Sequence, residues 1–267
     1  MERVIELVKY IILSIVQGIG EVLPISSSGH LLLVRKIFKL GGEELSLEIF
    51  LHLASLLALF IYYRKIILEL VKGFFLYVFK KDKESYRNFK FAIGLVISLI
   101  PTCLVGYFLD DYLDFFFRYS FIIGVFLILN GINLYMVRKK QGNKKIVEMP
   151  NCSFLKIGLG QCMGLIPGFS RSGACLSMCY REKMDMEDSE RFTFLILFPL
   201  VLGSVFLNMG EFSFDKDRVV LLIISFIMTF MITFFSLGLL KKIVKENKLY
   251  YFTYYCLVMG ILVMFIG

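Results

Sequence analysis

The side chains with the greatest chemical capacity in this chain lie in two runs of nearly the same spelling. The first reads Gln17-Gly-Ile-Gly20-Glu21-Val-Leu-Pro24-Ile-Ser26-Ser27-Ser28-Gly29-His30. The second reads Gln161-Cys-Met-Gly164-Leu165-Ile-Pro167-Gly168-Phe-Ser170-Arg171-Ser172-Gly173. Gln17 matches Gln161, Gly20 matches Gly164, and Ser26-x-Ser28-Gly29 matches Ser170-x-Ser172-Gly173, without a gap and 144 residues apart (161 − 17). Gln17 and Glu21 stand at i, i+4, so a helix carries both on one face. Pro24 ends that helix, and a helix restarting near His30 would aim its N-terminal amides into the turn of Ser26, Ser27, Ser28 and Gly29. Convergent amides, hydroxyl donors and a positive helix end hold phosphate. The second turn adds Ser170, Ser172, Gly173 and the guanidinium of Arg171. That planar fork suits a phosphate, and in apolar surroundings it demands an anion.

The two copies differ where a reaction would need them to differ. Glu21, Ser27 and His30 of the first become Leu165, Arg171 and Ala174 in the second. One copy then supplies acid–base groups and a nucleophile, the other supplies charge. In a phosphoryl transfer, Ser27 or an ordered water attacks, Glu21 and His30 handle protons, and Arg171 with the turn amides holds the charge. Glu21, with Gln17 beside it, could also ligate a divalent cation.

The elements that must position these residues are membrane elements. Of the 267 residues 58% are apolar and the mean hydropathy is +0.75, too apolar for a soluble domain of this size. Segments at about 46–63, 91–109, 119–138, 192–209, 218–240 and 250–267 are long and apolar enough to cross a bilayer. Segments 4–36 and 152–180 are interrupted midway by Pro24 or Pro167 and a Ser/Gly cluster, so each reads as a re-entrant helix-turn-helix hairpin. The expected fold is therefore an all-α integral membrane protein with six transmembrane helices and two re-entrant hairpins. Each hairpin is followed by three spans, giving repeats of about 1–140 and 150–267. Three is odd, so the second repeat is inverted, and inverted repeats place equivalent polar turns face to face near the midplane.

Loop charge sets an expected orientation. Loop 64–90 (Arg64, Lys65, Lys72, Lys80, Lys81, Lys83, Arg87, Lys90), loop 138–149 and loop 241–249 are basic. The alternate loops, around Asp110 to Asp114 and from Glu211 to Asp217, are acidic. Basic loops face the cytoplasm, which puts both termini outside. Arg35, Lys36 and Lys39 go against this rule. The net charge of +8 reads as basic loops against anionic lipid and not as nucleic-acid binding, because no single face collects it.

Together, Gln17-x3-Glu21, Pro24-Ile-Ser-Ser-Ser-Gly-His30 and Pro167-Gly-Phe-Ser-Arg-Ser-Gly173 closely resemble the undecaprenyl-diphosphate phosphatases, the bacterial bacitracin-resistance proteins. The resemblance covers essentially the whole chain. It implies hydrolysis of a polyprenyl diphosphate to the monophosphate, recycling the lipid carrier for cell-wall synthesis in the bacterial plasma membrane, with the site facing outward. It carries functional positions onto Glu21, Ser27, His30 and Arg171, and implies Mg²⁺ or Ca²⁺. That family accepts Glu or Gln at the position of Gln17, and with Gln the first helix offers a single carboxylate.

Two rival functions are weighed. A type-2 phosphatidate phosphatase needs a histidine where Ser177 stands and an Arg-Pro dipeptide that is absent. A polyprenyl-phosphate flippase or transporter shares the inverted-repeat plan and needs only binding groups. Elsewhere, His52 stands i+4 from Glu48, a pair that either lines the cavity or is structural. The stretch Arg181 to Arg191 reads as a solvated loop with helix-capping acids. The six cysteines read as small apolar packing residues, and no cleaved signal peptide is evident at the N-terminus. The Gly160-x3-Gly164 spacing permits close helix contact, including that of a homodimer.

Overall fold

Long apolar runs leave a backbone in lipid one open-ended way to satisfy its own hydrogen bonds, which is the helix. The computed structural model describes residues 2–38, 45–139, 142–208 and 218–266, and among these it is all-α. The helices are α1 (Glu2–Gly20), α2 (Ser27–Phe38), α3 (Leu45–Lys80), α4 (Tyr86–Arg118), α5 (Ser120–Val137) and α6 (Asn151–Gln161). They continue as α7 (Arg171–Arg181), α8 (Met186–Leu195), α9 (Leu197–Asn208), α10 (Val219–Lys245) and α11 (Tyr250–Met264). Lys39, Lys140 and the acidic loop from Glu211 to Asp217 lie outside the described residues. By length and composition Lys83–Leu109, Ser120–Val137 and Val219–Lys245 can each cross a membrane, and Tyr250–Met264 is a shorter apolar helix.

Both polar runs break a helix. α1 stops at Gly20 and α2 starts at Ser27, while α6 stops at Gln161, passes through a 3₁₀ turn at Cys162–Leu165, and α7 starts at Arg171. The two halves use one joint. A Cβ added at Gly20 would come within 2.8 Å of Ser27 Cα, and one at Gly164 within 2.5 Å of Arg171 Cα. Each matched glycine therefore lets the returning helix start directly against the end of the outgoing one. Gly160 faces the Met178 side chain of α7, so both glycines of the Gly160-x3-Gly164 spacing make close contacts within the chain.

The surrounding helices meet through small and hydroxyl residues. α5 and α11 cross where Gly124 and Gly260 each face the other's carbonyl. α3 meets α10 through Ser55 and Thr233, 3.1 Å apart, and Ser98 of α4 donates to the Phe154 carbonyl of α6 at 2.6 Å. None of these contacts needs water, as suits helices that bury polar groups away from it.

Several sequence readings are corrected. Asp110 to Asp114 lie within α4 and residues 241–245 within α10, not in loops. Residues 64–80 and 86–90 are not a loop but continue α3 and begin α4, because Ile66, Ile67 and Leu70 pack on the core and leave the lysines outward. Segment 192–209 is not one helix: α8 gives way to α9 at Ile196, where Pro199 supplies no N–H to continue the ladder. The stretch Arg181 to Arg191 is not solvated throughout, since Asp188 and Ser189 are buried. Arg35 and Lys36, the exceptions to the charge rule, are held by Glu48 at 2.9 Å and by Ser120 at 2.7 Å.

Asp188 explains that burial. It accepts from Arg87 of α4 and from the Ile146 N–H at 2.8 Å, tying the linker between the halves to α8. Asp185 caps α8 by accepting from the Asp188 N–H at 2.8 Å and pairs with Lys145 at 2.8 Å. Burial alone would raise the Asp185 carboxyl, but the Asp188 N–H and the Lys145 ammonium hold it below its ordinary value. Its contribution is thus present above the ordinary carboxylate range near pH ~4 and is lost as pH falls through the lower folded value. We expect Asp188→Ala to lower stability by about 2–4 kcal/mol at neutral pH, through the unpaired Ile146 N–H and Arg87. Thermal unfolding of detergent-solubilised protein measures this, and an unchanged midpoint would show that the knot contributes nothing.

Candidate active site

The site grows from two serine caps that make the same hydrogen bond, although Ser26 has φ +72 and Ser170 φ -79. Ser26 precedes α2 and its Oγ accepts from the Gly29 N–H at 3.3 Å; Ser170 precedes α7 and its Oγ accepts from the Gly173 N–H at 3.1 Å. A serine N-cap bonded to the third helical residue is what Ser-x-Ser-Gly encodes at a helix start. Ser27 and Arg171 are therefore equivalent first residues of two helices, and Ser28 and Ser172 each lie within 3.4 Å of their cap hydroxyl.

The two turns touch. The Gly168 N–H donates to Ser26 Oγ at 3.2 Å, and Ser172 Oγ donates to the Val22 carbonyl at 3.4 Å. Gly168 has φ +96, open to glycine and hard for other residues, and that conformation turns its N–H toward the first half. A Cβ added at Gly29 would sit 3.0 Å from Gly168 Cα, so glycine at 29 permits the approach, while a Cβ at Gly168 would meet the Ile123 carbonyl of α5. Between the turns lies a polar cleft lined by Glu21, Ser26, Ser27 and Ser28 from one half and Ser170, Arg171 and Ser172 from the other.

Inside the cleft, Ser27 Oγ donates to Glu21 Oε2 at 2.9 Å. The same oxygen accepts from Gln17 Nε2 at 3.1 Å. Arg171 reaches in from the second half, close enough for its charge to act on Glu21, and its buried Nε has no partner. A hydroxyl on a carboxylate facing a guanidinium with an unused donor can deprotonate a nucleophile and stabilise an anion at one place.

His30 is placed differently from Glu21, Ser27 and Arg171. It lies beside the cleft and not in its lining. Its Nδ1 is 2.8 Å from the Ser26 carbonyl, an acceptor only, so Nδ1 carries the proton. Its Nε2 then accepts from the Tyr255 hydroxyl at 2.8 Å. Both nitrogens hold structure: His30 braces Ser26, and α11 braces His30. The Glu48–His52 pair of the sequence reading does not form either, because Glu48 pairs with Arg35 and His52 turns to Gln17 at 3.0 Å.

Two residues of the site were missed in the sequence. Asn130, buried in α5, donates to the Pro24 carbonyl at 2.8 Å and accepts from the Ser170 N–H at 3.3 Å, bridging both turns with one amide. Tyr255 is the other. An Asn inside an apolar span was the available signal for the first; nothing marked Tyr255 among the 14 tyrosines.

Among the described residues no group of three His, Cys, Asp or Glu side chains converges. The unpartnered Gln17 Oε1 and the remaining oxygen of Glu21 are the acceptors the first helix could offer a hard cation.

Comparison with known proteins follows the same lines. Residues 10–262 match the family model described as "Bacitracin resistance protein BacA". "Undecaprenyl-diphosphatase 2" of Bacillus thuringiensis (strain Al Hakam) is 34% identical over 265 residues, 98% of each chain. "Undecaprenyl-diphosphatase" of Oceanobacillus iheyensis is 36% identical over 263 residues, covering 97% of this chain and 96% of its own. "Undecaprenyl-diphosphatase" of Methanococcus vannielii is 37% identical over 256 residues, covering 96% and 98%.

If Asn130 is the bridge between the turns, Asn130→Leu leaves the Pro24 carbonyl and the Ser170 N–H unpaired in the core. The expected cost is about 2–4 kcal/mol, read as a lower unfolding midpoint in detergent. A variant as stable as the parent would mean that water or a shifted turn satisfies both groups.

Proposed function

The chain belongs to the bacitracin resistance protein BacA family, and from that premise we propose how its cleft acts as an undecaprenyl-diphosphatase. The protein hydrolyses undecaprenyl diphosphate to undecaprenyl phosphate and inorganic phosphate. The observation that carries the mechanism is the Ser27 hydroxyl donating to Glu21 at 2.9 Å in a cleft that Arg171 enters from the other half. Ser27 Oγ attacks the terminal phosphorus while its proton passes to Glu21 Oε2. The bond from that phosphorus to the bridging oxygen breaks, and undecaprenyl phosphate leaves with the electron pair. Water then attacks the phosphoserine, giving inorganic phosphate and returning the proton to Ser27. Arg171, with the N–H groups at the starts of α2 and α7, holds the phosphoryl oxygens. Ser26, Ser28, Gly29, Ser170, Ser172 and Gly173 form the walls, and His30 keeps the first wall in place.

Mg²⁺ or Ca²⁺ would enter this cleft as a companion of the diphosphate, with Glu21, and Gln17 beside it, as the residues that would hold it. Bound there, it would neutralise part of the phosphate charge. The surrounding fold we read as two inverted repeats, about 1–140 and 150–267, with the broken helices as re-entrant hairpins and six spans around them. Supporting this are the shared Ser caps and the shared glycine contacts of the two turns. We place the protein in a bacterial plasma membrane with the basic segments inside, and it is the family resemblance that supports a cleft opening outward.

Phosphate release from undecaprenyl diphosphate by the purified protein tests the scheme. Ser27→Ala, Glu21→Gln and Arg171→Ala should each lower kcat by about 10²–10³-fold or more with the protein still folded. Ser27→Ala retaining parental activity would move the attack to water. Chelator should abolish release and added Mg²⁺ or Ca²⁺ should restore it; activity indifferent to chelator would remove the cation from the scheme.

A further inference from the structure

We infer that His52 of α3 is a positioning residue for this reaction, fixing the Glu21 carboxylate against Ser27 through the Gln17 amide. The inference rests on the Ser27–Glu21 reading above and extends it to a residue outside both polar runs.

Hydrogen accounting carries the argument. Gln17 Nε2 lies 3.1 Å from Glu21 Oε2 and 3.0 Å from His52 Nδ1. An amide nitrogen has two hydrogens and accepts nothing, so one hydrogen goes to the carboxylate and the other needs an acceptor. His52 Nδ1 is that acceptor and carries its proton on Nε2. The opposite amide orientation would aim Gln17 Oε1 at the carboxylate, oxygen against oxygen. Gln17 is fully buried and its Oε1 has no partner, so the far end of the amide does nothing to set its orientation. His52 and Glu21 together do.

Glu21 Oε2 in turn holds the Ser27 hydroxyl, which makes a continuous chain from His52 through Gln17 and Glu21 to Ser27. His52 itself is 3.6 Å from Glu21 Oε2, beyond a hydrogen bond, so it acts through the amide. Without His52 the buried Gln17 N–H loses its acceptor and the amide is free to turn. The carboxylate then loses one of its two donors and its fixed aim at Ser27. A misplacement of about 1 Å at such a group costs up to ~10²-fold in rate. His30 cannot substitute, because both of its nitrogens are already committed.

The test compares His52→Leu with His52→Asn in the full chain in detergent, using undecaprenyl diphosphate as substrate. The Asn side-chain oxygen stands near the place of Nδ1 and can accept from Gln17; Leu cannot. We expect His52→Leu to lower kcat by about 10- to 100-fold with KM within about twofold, and His52→Asn to recover most of the loss. Gln17→Leu should lose at least as much, because it also removes an acceptor for the cation, and adding His52→Leu to it should do no further harm, since the chain is already broken. Full kcat in His52→Leu, equal loss in the Leu and Asn variants, or additive losses with Gln17→Leu would each overturn the inference. Ser27→Ala run alongside separates the two levels. If Ser27→Ala is inactive while His52→Leu is not, only the role of His52 fails; if Ser27→Ala is active, the reading beneath it fails.

Discussion

The geometry of the cleft depends on Ser26. It is a non-glycine residue with φ +72, a left-handed conformation that costs an L-residue about 1–2 kcal/mol. Such a conformation persists only where its surroundings over-determine it. Here they do so from both ends of the residue. The Oγ accepts from Gly29 within its own turn and from Gly168 of the other turn, and the carbonyl accepts from the His30 N–H and from His30 Nδ1. Glycine would suit the backbone better but would lose the oxygen that joins the halves. The strain is thus tied to the contact that closes the cleft, and Asn130 repeats the tie two residues away on each side, at Pro24 and Ser170.

The local parts of this arrangement were legible in the sequence. Gln17-x3-Glu21 on one helix face, Pro24 and Pro167 as stops, and Ser-x-Ser-Gly as a cap depend on residues within a few positions of one another, and the repeat doubled the signal. Parts that depend on which distant helix lies alongside were not legible. Glu48 stands four residues from His52, yet Arg35 claims it and His52 bonds a helix 35 positions earlier. His30 reads as a proton carrier from its type alone. Its brace to Tyr255 spans 225 positions and follows from α11 packing against α5, which no local pattern contains. The segment 64–90 failed for a different reason: its lysines suggested a loop, while its apolar residues at helical spacing kept the helices going.

The two copies also show what repetition leaves behind. Gln17 has a carboxylate and an imidazole to donate to, whereas Gln161, its match, is fully buried with neither amide atom partnered. The reason is at hand in the sequence: Glu21 has become Leu165. Burying an unpaired amide costs free energy, on the order of 1–3 kcal/mol per group. The joint explains how the turn tolerates it, since Gly164 and the 3₁₀ turn still bring α7 back at the angle Arg171 needs. The second half has kept its frame and exchanged its chemistry.

That exchange answers an electrostatic problem. A diphosphate carries several negative charges, and a single helix start presents about half a positive charge. A lone broken helix bearing Glu21 would place a carboxylate beside that half charge and largely cancel it. Bringing a second helix start to the same cleft doubles the dipole contribution, and Arg171 at its first position adds a full charge. The carboxylate can then stay close enough to take the Ser27 proton without repelling the substrate. Two further donors, Gln17 and Ser27, spread its charge over hydrogen bonds. A base and an anion hole make opposite demands on local potential, and one turn cannot meet both. Two turns in contact can, provided one of them gives up its acid, and position 165 shows that it has.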